Sequence, residues 1–204
     1  MKVTLAHYYR SFKSMQGAFA GTSFLPAIMR FFVPDTGKLS ACLFPPLGDV
    51  QPLAATLTLI SLLLITLVVY ECCCHIASKV RFRLNAFLFA GAAISVVVLI
   101  GLYVAFVRVI DVPAAGLRIP VSVGIVRTDF AQRTYPNWDD WDMLHDHGPT
   151  EKTVQLLWTR RSVWEARAML WLAYTFTLSC FLAVVCIGIY QHAHEMDNAS
   201  SQAP

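Results

Sequence analysis

Three apolar runs, Pro52–Tyr70, Ala86–Val107 and Ala168–Tyr190, extend for 19, 22 and 23 residues without an acid or a base. About 20 helical residues cross a hydrocarbon layer roughly 30 Å thick, so each run predicts a transmembrane helix. Inside a bilayer the backbone must satisfy its own polar groups, and an isolated run can do so only as a helix. The pattern therefore predicts an all-α integral membrane protein with three transmembrane helices. A small α(+β) extramembrane module is expected between the second and third. One further apolar stretch, Met15–Val33, is broken by Gly17, Gly21 and Pro26 and charged at Arg30. Proline removes a helical hydrogen bond and a buried cation is costly, so residues 15–33 read either as a re-entrant or interfacial helix or as a fourth span.

The polar positions divide the rest of the chain. Residues 1–51 form an interfacial arm with Lys2, Arg10 and Lys13 among aromatics, then the 15–33 segment, then a connector rich in proline and glycine. Residues 52–107 make a transmembrane hairpin, closed by a short loop carrying Lys79, Arg81 and Arg83. The module covers 108–162, the last membrane helix 163–190, and a polar, disordered tail 191–204. Inside the module, Ile119–Val126 reads as a strand with Gly124 as its weak point, and Trp138–His145 as a short helix stopped by Gly148–Pro149. Thr150 is placed to cap a second helix running through Trp158. Ser162 and Glu165 match a capping box, in which serine and glutamate each accept from the other's amide, so the last helix is expected to start at Val163. On that helix Trp164 and Trp171 should share a face, with Arg160, Arg161 and Arg167 reaching lipid phosphates.

Composition supports the membrane reading, since 56% of residues are hydrophobic and only 14% charged, against about 25% charged in soluble domains. The net charge of +3 is small and the basic residues are scattered, which argues against nucleic acid as a partner. A cleavable leader is not expected, because the first apolar stretch starts only near Met15 and lacks a clean small-residue cleavage site. With three spans, residues 1–51 and 108–167 share one side and hold 13 of the 16 Lys and Arg. The positive-inside rule then puts the N-terminus and the 108–167 segment in the cytoplasm and the C-terminus outside.

Candidate chemistry is sparse. Asp142, His145 and Asp146 would fall on one helical face and could together hold a divalent ion, although an acidic first turn on an exposed helix explains the same residues. Cys72, Cys73 and Cys74 sit where S-acylation occurs, or fill space at a helix end. His192 and His194 make a weak metal pair on the tail, and Asn198 lies in an N-glycosylation pattern. Serines and threonines within the spans can bond to their own preceding carbonyls and need not line a water path. No cofactor is implied.

Two features point to association instead. Trp138, Trp141, Trp158 and Trp164 are anchors of the kind that dominate interfaces. Ala86 with Ala90, Gly91 with Ser95 and Gly101 with Ala105 are small pairs four residues apart that let another helix approach closely. The favoured function is a non-enzymatic multi-pass membrane subunit that forms homo-oligomers or binds a membrane protein partner. Two alternatives are a channel or transporter with 15–33 re-entering the bilayer, and a membrane-bound metal-dependent enzyme using the Asp/His cluster at 139–147.

Overall fold

A computed structural model describes residues 45–112 and 117–201 of the chain. The interfacial arm, the 15–33 segment with Arg30, and most of the connector lie outside the described residues, as do the side chains of Cys74, His194 and Asn198. The fold is mostly helical, at 78%, with one small two-stranded sheet.

A 3-10 turn, Gly48–Val50, leads into helix α1 (Gln51–His75), whose Pro52 occupies the first turn, where its missing amide is no loss. Helix α2 (Ser78–Phe106) passes directly into strand β1 (Val107–Val112), which pairs antiparallel with β2 (Leu117–Ser122). Three short helices follow: α3 (Asp129–Thr134), α4 (Asp140–His147) and α5 (Glu151–Leu157). Helix α6 (Arg160–Ser201) completes the order. Helices α1, α2 and α6 are each long and apolar enough to cross a membrane.

The chain divides into two compact units. Among the described residues, one comprises 57–96 and 175–201. Its buried core joins Leu62 and Tyr70 of α1 to Leu182 and Cys186 of α6. Thr58 Oγ1 and Thr175 Oγ1 hydrogen-bond across these helices at 3.1 Å. The hydroxyls of Ser61, Thr66 and Ser179 instead donate to carbonyls four residues back, at 2.9, 2.9 and 2.7 Å. Those polar side chains are thus satisfied locally and need not line a water path.

Among the described residues, the other unit comprises 45–56, 97–112 and 117–174. One core gathers Ile110, Val121, Val123, Ala131, Met143, Leu144, Val154, Leu157, Trp158 and Val163. A second gathers Leu47, Ala54 and Leu170, flanked by Tyr103, Phe106 and Trp171. Trp171 donates its indole N–H to the Ala54 carbonyl at 3.2 Å. The short helices are closed by side chains, as isolated helices of this length require. Thr128 accepts from the Ala131 amide, Asp139 from Asp142 and Thr150 from Thr153, at 3.2, 2.8 and 3.2 Å. Gly148 ends α4 with φ +81°, a conformation that side-chain-bearing residues rarely adopt.

Three expectations change. The strand ends at Ser122, and β1 is a partner that the apolar pattern concealed, because Val107 continues the α2 run without a break. The region expected to be a disordered tail is helical through Ser201, with neither glycine nor proline between Tyr190 and Ser201 to stop it. The capping box does not form. Helix α6 starts at Arg160, and Ser162 is a donor, to the carbonyls of Val126 at 3.1 Å and Thr159 at 3.0 Å. Glu165 instead accepts from Arg161 Nε at 2.8 Å. The cause is tertiary: the Thr159 amide bonds to the Val126 carbonyl at 2.9 Å, bringing that segment alongside the start of α6 and offering the Ser162 hydroxyl an acceptor. Gly124 permits the approach, since a Cβ there would meet Ser162 Oγ and lie 2.9 Å from Trp158 Cβ.

Candidate functional site

The sequence-predicted tryptophans separate by burial. Trp158 is 1% exposed, at the centre of the larger core, and its strand-like backbone bridges Arg127. It therefore acts as a core residue and not as a contact anchor. Trp138, Trp141 and Trp164 are 41%, 47% and 49% exposed. For large aromatic rings on a folded module, that much open surface is the feature expected of an interface.

Trp138 and Trp141 flank an ion-pair triad. Asp140, the first residue of α4, accepts from Arg127 Nη2 at 3.0 Å and from Arg108 Nη2 at 3.3 Å. Arg127 Nη1 also donates to the Trp138 carbonyl at 2.9 Å, and Arg108 Nη1 to the Val104 carbonyl at 2.8 Å. One carboxylate thus positions two guanidinium groups. Together with Val104, Val107, Asp139 and Trp141 they line an open depression of about 540 Å³. The Trp138 ring stacks at a tilt on Tyr135 with centroids 4.8 Å apart, and the Tyr135 hydroxyl lies 2.7 Å from His147 Nε2. This patch is a preorganised surface of aromatic and arginine groups, the residue types enriched where proteins meet.

Arg108, Arg127 and Asp140 were not singled out as a group by sequence reasoning. Asp140 lay hidden in an acidic cluster, and its partners stand 13 and 32 residues away. Only the hairpin and the Arg127–Trp158 bridge bring them together.

The candidate metal ligands are arranged differently. Among the described residues, no group of three or more His, Cys, Asp or Glu lies close enough to hold a metal ion. Asp142, His145 and Asp146 are exposed on α4. The neighbouring acids are engaged elsewhere, Asp139 as helix cap and Asp140 with the arginines. His147 is held by Tyr135 and lies 3.9 Å from Asp146.

Arg167, expected to reach lipid phosphate, turns inward. Its side chain is 8% exposed and forms a bidentate pair with Glu151, Nη1 to Oε1 at 2.9 Å and Nη2 to Oε2 at 2.7 Å, while Nε donates to Ser122 Oγ at 2.8 Å. The guanidinium holds the Glu151 carboxyl below its usual range. Arg161 remains in the open, 90% exposed, with Arg160 beside it.

The small pairs of α2 are mostly free of neighbours. Ser95 is buried, donating to the Ala92 carbonyl at 2.8 Å, and Gly91 is half-buried. Ala86, Ala90, Gly101 and Ala105 are exposed, and a Cβ added at Gly91 or Gly101 would meet nothing within 4 Å. Only 11% of the apolar window of α2 is buried, against 28% for α1 and 39% for α6, so α2 offers the most uncovered apolar surface.

Three long apolar helices and a braced aromatic–arginine module define a class compatible with multi-pass membrane proteins. No protein family, no curated protein and no solved structure is found to match this chain.

Proposed function

We propose that this chain is a non-enzymatic, multi-pass membrane subunit that associates with copies of itself or with another membrane protein. The observation that carries the reading is the surface of Trp138 and Trp141 around the Arg127–Asp140–Arg108 triad: its aromatic groups are exposed while its charges are held rigid. Preorganised anchors lose little side-chain entropy on binding, which is what makes such patches effective. The open small-residue positions of α2 favour a further helix contact within the bilayer, where close backbone approach substitutes for the hydrophobic effect. The N-terminus and the 108–167 segment face the cytoplasm on this reading, following the excess of Lys and Arg.

The test is cross-linking in native membranes from a photoreactive residue at position 141, with a second at Arg161 as a control on the exposed face of α6. A discrete dimer or heteromeric adduct from position 141, weakened by Trp138→Ala, is expected. Monomer alone from both positions, across expression levels, would refute the proposal.

A further inference from the structure

Within the first unit, α1, α2 and α6 enclose a cleft of about 310 Å³, inside the 300–1,000 Å³ range of small-molecule sites. Its walls are almost wholly apolar, with Val69, Leu84, Leu88 and Ile187 among them, and one charged side chain, Arg81, closes one end. On α1 the lining runs from Ile65 to Cys73, about 12 Å at 1.5 Å per residue. That is a channel for an extended chain, too long and narrow in polarity for a compact polar ligand.

Arg81 is the unusual element. The residue is only 9% exposed, yet its Nε finds no hydrogen-bond acceptor among the described residues. Its guanidinium carbon lies 5.0 Å from the centre of the Tyr190 ring, a cation–π contact that orients the group without giving the Nε an acceptor. A buried guanidinium with an unmet donor calls for an anion, and phosphate oxygens match its planar fork. Arg81 lies in the first turn of α2, beside the loop after α1. For membrane-spanning helices that position is at headgroup depth, with the apolar cleft leading inward.

We infer that the α1–α2–α6 cleft binds one anionic phospholipid, with an acyl chain along the apolar walls and its phosphate on Arg81. The occupant is set by complementarity at both ends: a cation where a headgroup would sit, and an apolar trough where its chain would lie. This rests on the membrane placement of the three helices, which carbonate extraction tests separately. A chain released by carbonate would refute that placement, whereas the lipid experiment below addresses the cleft alone.

The full chain, purified in mild detergent, is titrated with phosphatidylglycerol or phosphatidylcholine, and bound lipid is counted by native mass spectrometry. Wild type should retain phosphatidylglycerol roughly ten- to hundredfold more tightly, the scale of a charge-assisted hydrogen-bonded pair. Arg81→Gln should erase the preference, while Arg83→Gln, an exposed arginine on the same turn of α2, should keep it. Ala183→Phe, which fills the cleft and leaves Arg81 intact, should lower retention of both lipids; this variant decides the matter if Arg81→Gln does not fold. Equal retention of the two lipids by wild type, or a preference unchanged in Arg81→Gln, would overturn the inference. So would a bound mass released by hydroxylamine, which would show a thioester-linked chain from Cys72 or Cys73 in the cleft. Competition by inorganic phosphate with no loss in Ala183→Phe would mean an anion site without an acyl site, and would likewise refute it.

Discussion

Removing the Glu151 carboxylate should destabilise the unit that carries the module more than any other single change to its polar groups. Arg167 is 8% exposed and Glu151 27%, so Glu151→Ala strands a nearly buried guanidinium whose one remaining partner among the described residues is Ser122. Breaking a fully buried pair costs about 3–5 kcal/mol. Because Glu151 is partly solvated, the expected loss is nearer 2–3 kcal/mol. Arg167→Met keeps much of the apolar stem and removes the charge, so the double variant should be about 1–3 kcal/mol more stable than the two single losses added together. The same pair predicts an acid response. Hydrogen bonding to Arg167 holds the Glu151 carboxyl below its ordinary value of 4.5. Its contribution is therefore complete above about pH 4.5 and lost as the pH falls through the lower folded value, where the unfolded chain binds the extra proton. Denaturant unfolding in mild detergent, followed by tryptophan fluorescence from neutral to acid pH, measures both effects. A loss under about 0.5 kcal/mol in Glu151→Ala, with an unchanged pH profile, would refute the reasoning.

Other expectations follow from the same contacts. Gly48 has φ +60°, and a Cβ there would stand 2.5 Å from Glu151 Oε2 and 2.8 Å from Arg167 Nη1; Gly48→Ala should cost about 1–3 kcal/mol, less in the Glu151→Ala background, as unfolding of the double variant would show. Trp158→Ala should cost about 3–5 kcal/mol in the same assay, whereas Trp141→Ala should stay within about 0.5–1 kcal/mol of wild type. Ser162→Ala loses a hydroxyl proton shared between the Val126 and Thr159 carbonyls, from a residue 2% exposed, and should cost about 1 kcal/mol; faster amide exchange at Thr159 would locate the damage. Asp140→Asn should free Arg108 and Arg127, leaving global stability within about 1 kcal/mol but lowering cross-linking yield at position 141.

Much of the helical framework is legible from local chemistry. A run without charge and long enough to cross a bilayer permits few conformations, which is why the three apolar runs fall inside α1, α2 and α6, apart from Val107, which opens β1. The Thr150 cap and the Gly148 stop were equally readable, since each acts over three or four residues. What local pattern could not convey is competition from distant partners. Ser162 and Glu165 carry the residues of a capping box, yet the Val126 carbonyl and the Arg161 side chain take them. Val107 continues the uncharged run of α2, and only the pairing of Val107–Val112 with Leu117–Ser122 makes that segment a strand.

The same division governs function. The sequence by itself determined that the chain has three segments fit to cross a membrane and a tryptophan-bearing module between two of them, because hydrophobic length and aromatic content are properties of short stretches. Which tryptophan is a core residue, which arginine is buried and which acid is spent on a neighbour were decided only by tertiary structure. Burial and ion pairing depend on groups 13 to 45 residues apart, such as Arg127 with Asp140 or Ser122 with Arg167. Arg167 turns inward onto partners that the fold supplies there, whereas the Nε of Arg81 is buried with none among the described residues.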